Sequence, residues 1–264
     1  MAFPAPGNIS VMTRSMAWAV VCFLVLPISI VFAVSLTDQP YLSLPHDGLS
    51  LQYYRGLLTS RAWLTSIWHS LVIAIASTAI AVTAGTLCAI GCWRINSRAS
   101  DAVRVLMLIP IIVPTIVYAL GIYQLWVDLK LIGSFAGVII AHAVTGLPYV
   151  VITVSTALAG FDPKLEQASQ SLGASMIQTL RLVIVPNILP GIISGAIFAF
   201  IHSWDEVVIV LFIAGRSVFT LPQRIWDGIN ESLDPTIAAV AAVLILTTVS
   251  LLFIDIAIRQ RRSQ

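Results

Sequence analysis

The chain has 264 residues, of which 58% are hydrophobic and only 10% charged, against about 25% charge in an ordinary soluble domain. With a mean hydropathy of +0.96 it belongs in a bilayer and is excluded from the soluble globular class. The net charge of +2, with basic residues scattered through loops, excludes a nucleic-acid surface.

A spanning helix needs about 20 mostly apolar residues, because the bilayer offers no water to satisfy its backbone. Six stretches qualify: 16–36, 67–93, 103–126, 132–158, 188–214 and 236–258. The first exceeds the roughly 7–15 residues of a signal-peptide core and lacks a small-residue cleavage site, so it reads as a retained anchor. The second carries Cys88 and Cys92 on one helix face; with Cys22 in the first span, these thiols read as small hydrophobes packed in apolar runs. They suggest neither a disulfide framework nor a metal site.

Placing the N-terminus in the cytoplasm puts Arg14, Arg94, Arg98, Arg104, Lys164, Arg181, Arg259, Arg261 and Arg262 inside. Arg55, Arg61, Lys130, Arg216 and Arg224 fall outside. This nine-to-five division follows the positive-inside rule and predicts that both termini are cytoplasmic. The basic tail around Arg261 then sits against anionic headgroups.

Between the fourth and fifth spans, the loop 161–186 carries strong helix signals. Asp162 is a capping residue, Pro163 suits the first helical position, and Gly173 suits a left-handed helix end. Ser175 is placed to cap a second short helix. Leu165, Ala168 and Leu172 share one apolar stripe. Short isolated helices are marginal in water, so the stripe calls for a receiver: a groove on a partner protein or the membrane surface.

In the fifth span, Asp205 and Glu206 follow His202 and Trp204. An acid at membrane depth costs at least about 2.5 kcal/mol, so these groups must face water, protein or substrate. They read either as cation-path groups, with His202 orienting one carboxylate, or as partners of polar groups on a neighbouring helix or a partner chain. Trp204, Trp126, Tyr118 and Tyr123 offer aromatic faces to a cation, although Trp126 and Tyr123 also suit an interfacial belt. Gly191, Gly195 and Ala199 form a small-residue ridge suited to close helix packing.

Enzyme signatures are missing. Neither Lys130 nor Lys164 follows a glycine-rich phosphate loop, none of His46, His69, His142 or His202 begins a metalloprotease motif, and no nucleophile elbow is present. No catalytic residue, metal ligand or cofactor is assigned to this chain.

The loop resembles the signature of the MetI-like permeases of type I ABC importers: Glu-Ala-Ala, three residues, Gly, nine residues, Ile, one residue, Leu-Pro. Here the triad falls on Gln167, Ala168 and Ser169, the glycine on Gly173, followed by Ala174, and the closing element on Val183, Val185 and Pro186. Gln replaces the acid, Ser the second Ala, and Val both Ile and Leu; Glu166, one place earlier, is a candidate for the missing charge. The segments 49–58, 147–151 and 203–209 are similar to the spermidine/putrescine permease subfamily.

The resemblance implies an all-α, six-span permease whose loop 165–177 is a coupling helix docked on an ATPase. It implies two ATPase copies that bind ATP and Mg, a second and different permease chain, an extracytoplasmic solute-binding protein, and a bacterial inner membrane. Polyamine is the expected solute; ferric ion and phosphonate importers share the architecture. A reading of another class, an ion-gradient-driven secondary transporter working through Asp205 and Glu206, predicts inverted repeats and needs no docking loop.

Overall fold

The computed structural model describes residues 11–262 apart from Arg216 and Ser232, and the backbone alone at Val11 and over 251–262. The placement of Arg216, and of the side chains of Arg259, Arg261 and Arg262, lies outside the described residues. Two compact units are formed, Met1–Leu64 with Asp227–Gln264, and Thr65–Trp226.

In the first unit, helix α1 (Val11–Ser35) and the short α2 (Gln52–Thr59) both pack on α12 (Thr236–Arg262), the helix that follows α11 (Leu221–Glu231) in the chain. The connection from α1 to α2 is held by polar contacts, not by a core. The Asp38 carboxylate accepts the backbone N–H groups of His46 and Asp47, and Tyr54 pairs with Ser35 at 2.7 Å. The His46 amide is the main reason that the Asp38 carboxyl is held below its ordinary range, because it favours the ionised form.

The second unit is built around α3 (Arg61–Ile95), α6 (Phe135–Ala159) and α9 (Val185–Asp205), with α4 (Arg98–Ile112), α5 (Thr115–Asp128) and α10 (Val208–Ile213) around them. Helix α6 is its centre, burying His142, Thr145, Pro148 and nine other residues. It packs most extensively against α9, and the small-residue ridge is the reason. A Cβ on Gly195 would lie 2.9 Å from the Val150 Cα, and one on Gly191 would lie 2.8 Å from the Thr153 carbonyl oxygen. Only glycine lets the two backbones approach so closely.

By length and composition, four helical runs can cross a membrane: α1, α3, α6 and the continuous run Met176–Asp205. The pair α4 and α5 makes a fifth if it is one span, and it is bent by 107°. The expected continuous span 103–126 is therefore broken, at Val113 and Pro114. Pro114 has no N–H to donate, and a residue before proline is pushed out of the helical region, as the Val113 ψ of 127° shows.

The expected span 188–214 also differs. Its helix begins earlier and ends at Asp205; Glu206 turns extended before the separate α10. Residues 236–258, expected to span, lie within α12, a helix of 27 residues whose described apolar stretch is Thr236–Ser250. Trp126 is buried within the protein, 7% exposed, and its indole N–H donates to the Gly137 carbonyl at 3.0 Å.

Candidate functional site

The loop after α6 folds as two short helices meeting at a glycine. Helix α7 (Pro163–Ser171) starts with the Asp162 carboxylate accepting the Lys164 N–H and with Pro163 in its first turn. It ends in a Schellman motif, in which Gly173 N–H donates to the Gln170 carbonyl and Ala174 N–H to the Ser169 carbonyl. That motif needs a left-handed residue, and Gly173 supplies it at φ +85°. Ser175 then caps α8 (Met176–Thr179) through a capping box with Gln178. A π-turn at Leu180–Ile184 joins α8 to α9, with Pro186 in the first turn of α9.

The apolar stripe has no receiver within the described residues. Leu165, Leu172, Met176 and Ile177 are all exposed, Leu172 at 89%, and α7 buries no residue. Two departures from the signature acquire a physical account. Ser169, in place of alanine, pairs with the buried Thr179 hydroxyl at 3.0 Å and so joins α7 to α8. Glu166 forms an ion pair with Arg94, near the end of α3, at 2.8 Å, so its carboxylate is engaged within this chain. The Gln167 side chain is exposed and has no partner among the described residues.

At the other end of α9, a helical run of 30 residues from the loop and thus roughly 45 Å away, a cleft of about 270 Å³ is lined by Tyr149, Phe198, Ile201, His202, Asp205 and Glu206. Tyr149 comes from α6, stacks with Phe198 at 6.5 Å and lies tilted against the His202 ring at 5.3 Å. Asp205 is exposed and makes no hydrogen bond among the described residues; its carboxylate interacts electrostatically with His202. Glu206 accepts the Ile209 N–H at 3.1 Å, in the first turn of α10. The two acids therefore have different work, although both border the cleft.

Two expected path residues are elsewhere. Tyr118 packs beside the cluster of Ile73, Val138 and Ile209 and donates its hydroxyl to the Ala141 carbonyl at 3.2 Å. Trp204 stacks on Phe200 at 5.9 Å and does not line the cleft. Conversely, Tyr149 and Phe198 are not among the residues expected from sequence. Phe198 lies four residues before His202, a spacing that shares a helix face, whereas Tyr149 reaches the cleft only through the packing of α6 on α9.

Behind the cleft, a buried polar chain crosses three helices. His142 Nδ1 lies 2.9 Å from the Ser203 hydroxyl, which lies 3.0 Å from the Ser77 hydroxyl. Among the described residues, the Nε2 atoms of His142 and His202 are buried without a partner.

Residues 81–263 match the family described as binding-protein-dependent transport system inner membrane component. The chain is 31% identical over 238 residues to the spermidine/putrescine transport system permease protein PotC of Haemophilus influenzae, covering 90% of this chain and 92% of that one. It is 29% identical over 205 residues to the putrescine transport system permease protein PotI of Escherichia coli, covering 75% and 73%.

Solved structures agree on the fold. A chain of a bacterial ABC transporter involved in import of the acidic polysaccharide alginate matches with a TM-score of 0.67 at 14% identity, over 98% of this chain and 99% of that one. A chain of the MetNI methionine ABC transporter matches with a TM-score of 0.62 at 20% identity, over 75% and 95%. Long apolar helices, an exposed helical loop at one end of α9 and a cleft at the other fit a transport subunit without chemistry of its own. The chain belongs to the binding-protein-dependent inner membrane components, and is a solute-translocating permease subunit of an ABC importer.

Proposed function

We propose that this permease carries a polyamine of the spermidine or putrescine type. The observation that carries the reading is the cleft at the end of α9, where the exposed Asp205, which makes no hydrogen bond among the described residues, lies beside the rings of Tyr149, Phe198 and His202. A carboxylate beside aromatic faces suits an ammonium group, and each cation–π contact is worth about 0.5–2 kcal/mol. The relatives named for spermidine and putrescine transport support the same solute.

In this reading the loop 161–186 is cytoplasmic, as are both termini. Leu165, Leu172, Met176 and Ile177 enter an apolar groove on the ATPase, with Gln167, Ala168 and Gly173 at the contact. Ser169, Ala174 and Pro186 shape the loop, and Glu166 works from inside it. Two ATPase copies supply ATP and Mg chemistry, a second and different permease completes the pathway, and an extracytoplasmic binding protein delivers solute. A cysteine introduced at Ser171, labelled from the cytoplasmic side only, tests the topology.

The deciding experiment is uptake of labelled spermidine and putrescine into proteoliposomes holding the complete complex and its binding protein, with ferric ion and phosphonate as competitors. ATP-dependent polyamine uptake resistant to those competitors is expected. Transport of ferric ion or phosphonate in place of polyamine would overturn the solute.

A further inference from the structure

We infer that the Arg94–Glu166 ion pair is the tie through which the helical loop moves α3, which makes both side chains positioning residues for transport. The inference rests on the reading of that loop as the ATPase-docking element. Helix α7 has nine residues and buries none of them, so apolar packing does not fasten it to the spans. Polar contacts do so instead.

Arg94 lies in the last turn of α3, where the helix dipole favours a cation. One of its terminal nitrogens donates to Glu166 of α7 at 2.8 Å, while the other contacts the Met176 sulfur at the start of α8. A single guanidinium therefore grips both arms of the helix pair. Gln170 adds a hydrogen bond to the same Glu166 oxygen at 3.3 Å.

The side chains of Arg94 and Glu166 are only 23% and 17% exposed. Such a pair is less screened than a surface bridge, and removing one partner strands a partly buried charge. Helix α3 continues from Arg94 to Ser77, about 25 Å along its axis at 1.5 Å per residue, and there Ser77 bonds Ser203, beside the cleft residue His202. A push on the loop is thereby delivered to the cleft through a rigid rod as well as through α9.

Spin labels test the tie in the complete complex with its ATPase, after Cys22, Cys88 and Cys92 have been replaced by serine. One pair, at Thr83 and Ile152, reports α3 against α6; a second, at Ser171 and Ile152, reports the loop. Addition of a non-hydrolysable ATP analogue is expected to shift both distances in the otherwise wild-type chain. In Arg94→Glu and in Glu166→Arg the loop shift persists and the α3 shift is lost; the double exchange restores it.

An α3 shift retained in both single variants, or not recovered in the double exchange, overturns the tie. Where the reversals fail to accumulate, Arg94→Gln and Glu166→Gln replace them. The double neutral variant is then expected to lose no more of the α3 shift than either single one, because the two side chains act as one unit; additive losses overturn the tie. A loop that does not respond to nucleotide in the wild-type chain overturns the docking reading itself.

Discussion

The imidazole of His142 on α6 and the hydroxyl of Ser203 on α9 are 2.9 Å apart, although 61 residues separate them. Ser203 also lies 3.0 Å from Ser77 on α3, so one hydroxyl joins three helices. Ser203→Ala leaves His142 Nδ1 without this partner and leaves the Ser77 hydroxyl only the Ala74 carbonyl, 3.2 Å away. Hydrogen bonds between membrane helices average about 0.6 kcal/mol and reach about 1.7; the upper part of that range is expected here, because two partners are lost. The melting temperature of the detergent-solubilised complex should fall in Ser203→Ala and recover in Ser203→Thr. An unchanged melting temperature would show that the chain of hydrogen bonds is dispensable.

Asp205 and Glu206 should separate in function. Asp205 borders the cleft and makes no hydrogen bond among the described residues, so Asp205→Asn is expected to slow spermidine uptake about tenfold, the equivalent of one charge-assisted contact of about 1.5 kcal/mol. Assembly and basal ATP hydrolysis should persist. Glu206 holds the Ile209 amide, so Glu206→Gln, whose carbonyl can still accept, should be milder than Glu206→Ala. Equal uptake defects in Asp205→Asn and Glu206→Gln would refute this division.

Gly173 sits at φ +85° with open space around its Cα, so backbone conformation and not crowding decides what it tolerates. Asparagine visits the left-handed region readily, whereas a β-branched residue strongly resists it. Gly173→Asn is expected to retain most stimulated ATP hydrolysis and uptake. Gly173→Val should reach the membrane and lose most of both. Normal coupling in Gly173→Val would mean that the angle between α7 and α8 is unimportant.

Gly195 presents the opposite case, with crowding in an ordinary helix. A Cβ there would stand 2.5 Å from the Thr153 Oγ1 and 2.9 Å from the Val150 Cα, and the latter is backbone that cannot step aside. Gly195→Val is expected to destabilise by about 1–3 kcal/mol or more through overpacking, seen as lower yield of folded complex. Gly121→Ala, where an added Cβ would meet nothing within 4 Å, should be neutral.

The loop pinned by Asp38 carries a pH dependence of definite sign. Folding lowers the Asp38 pKa, chiefly through the His46 amide, so its contribution is present above the ordinary carboxylate pKa and lost only as pH falls through the depressed value. Amide exchange at His46 and Asp47 should therefore stay protected from pH 7 down to about 4 and open below that. Asp38→Ala should leave both amides unprotected throughout, and protection retained in that variant would place the restraint elsewhere.

Much of the transport reading was legible in the chain itself. Long apolar stretches dictate spanning helices, because backbone polar groups cannot be left unsatisfied in lipid. The caps at Asp162, Pro163 and Ser175 and the turn at Gly173 are local devices, set by residues within four positions of one another, and the structure places each as the pattern predicts. The small ridge of Gly191, Gly195 and Ala199 was readable for the same reason, since helical spacing alone puts those residues on one face.

Only tertiary structure decided which residues meet across helices. The bend at Pro114 splits an apolar stretch that hydropathy treats as continuous, because hydropathy averages over composition and is blind to one missing N–H. Tyr118, an aromatic residue in a span, lies away from the cleft while Tyr149 enters it; nothing local distinguishes them until α6 packs on α9. Likewise, Glu166 engages Arg94 over 72 residues and Ser203 engages Ser77 over 126. Such pairings depend on the register of one packed helix against another, and small residues such as Gly195 set that register by letting the helices close on each other.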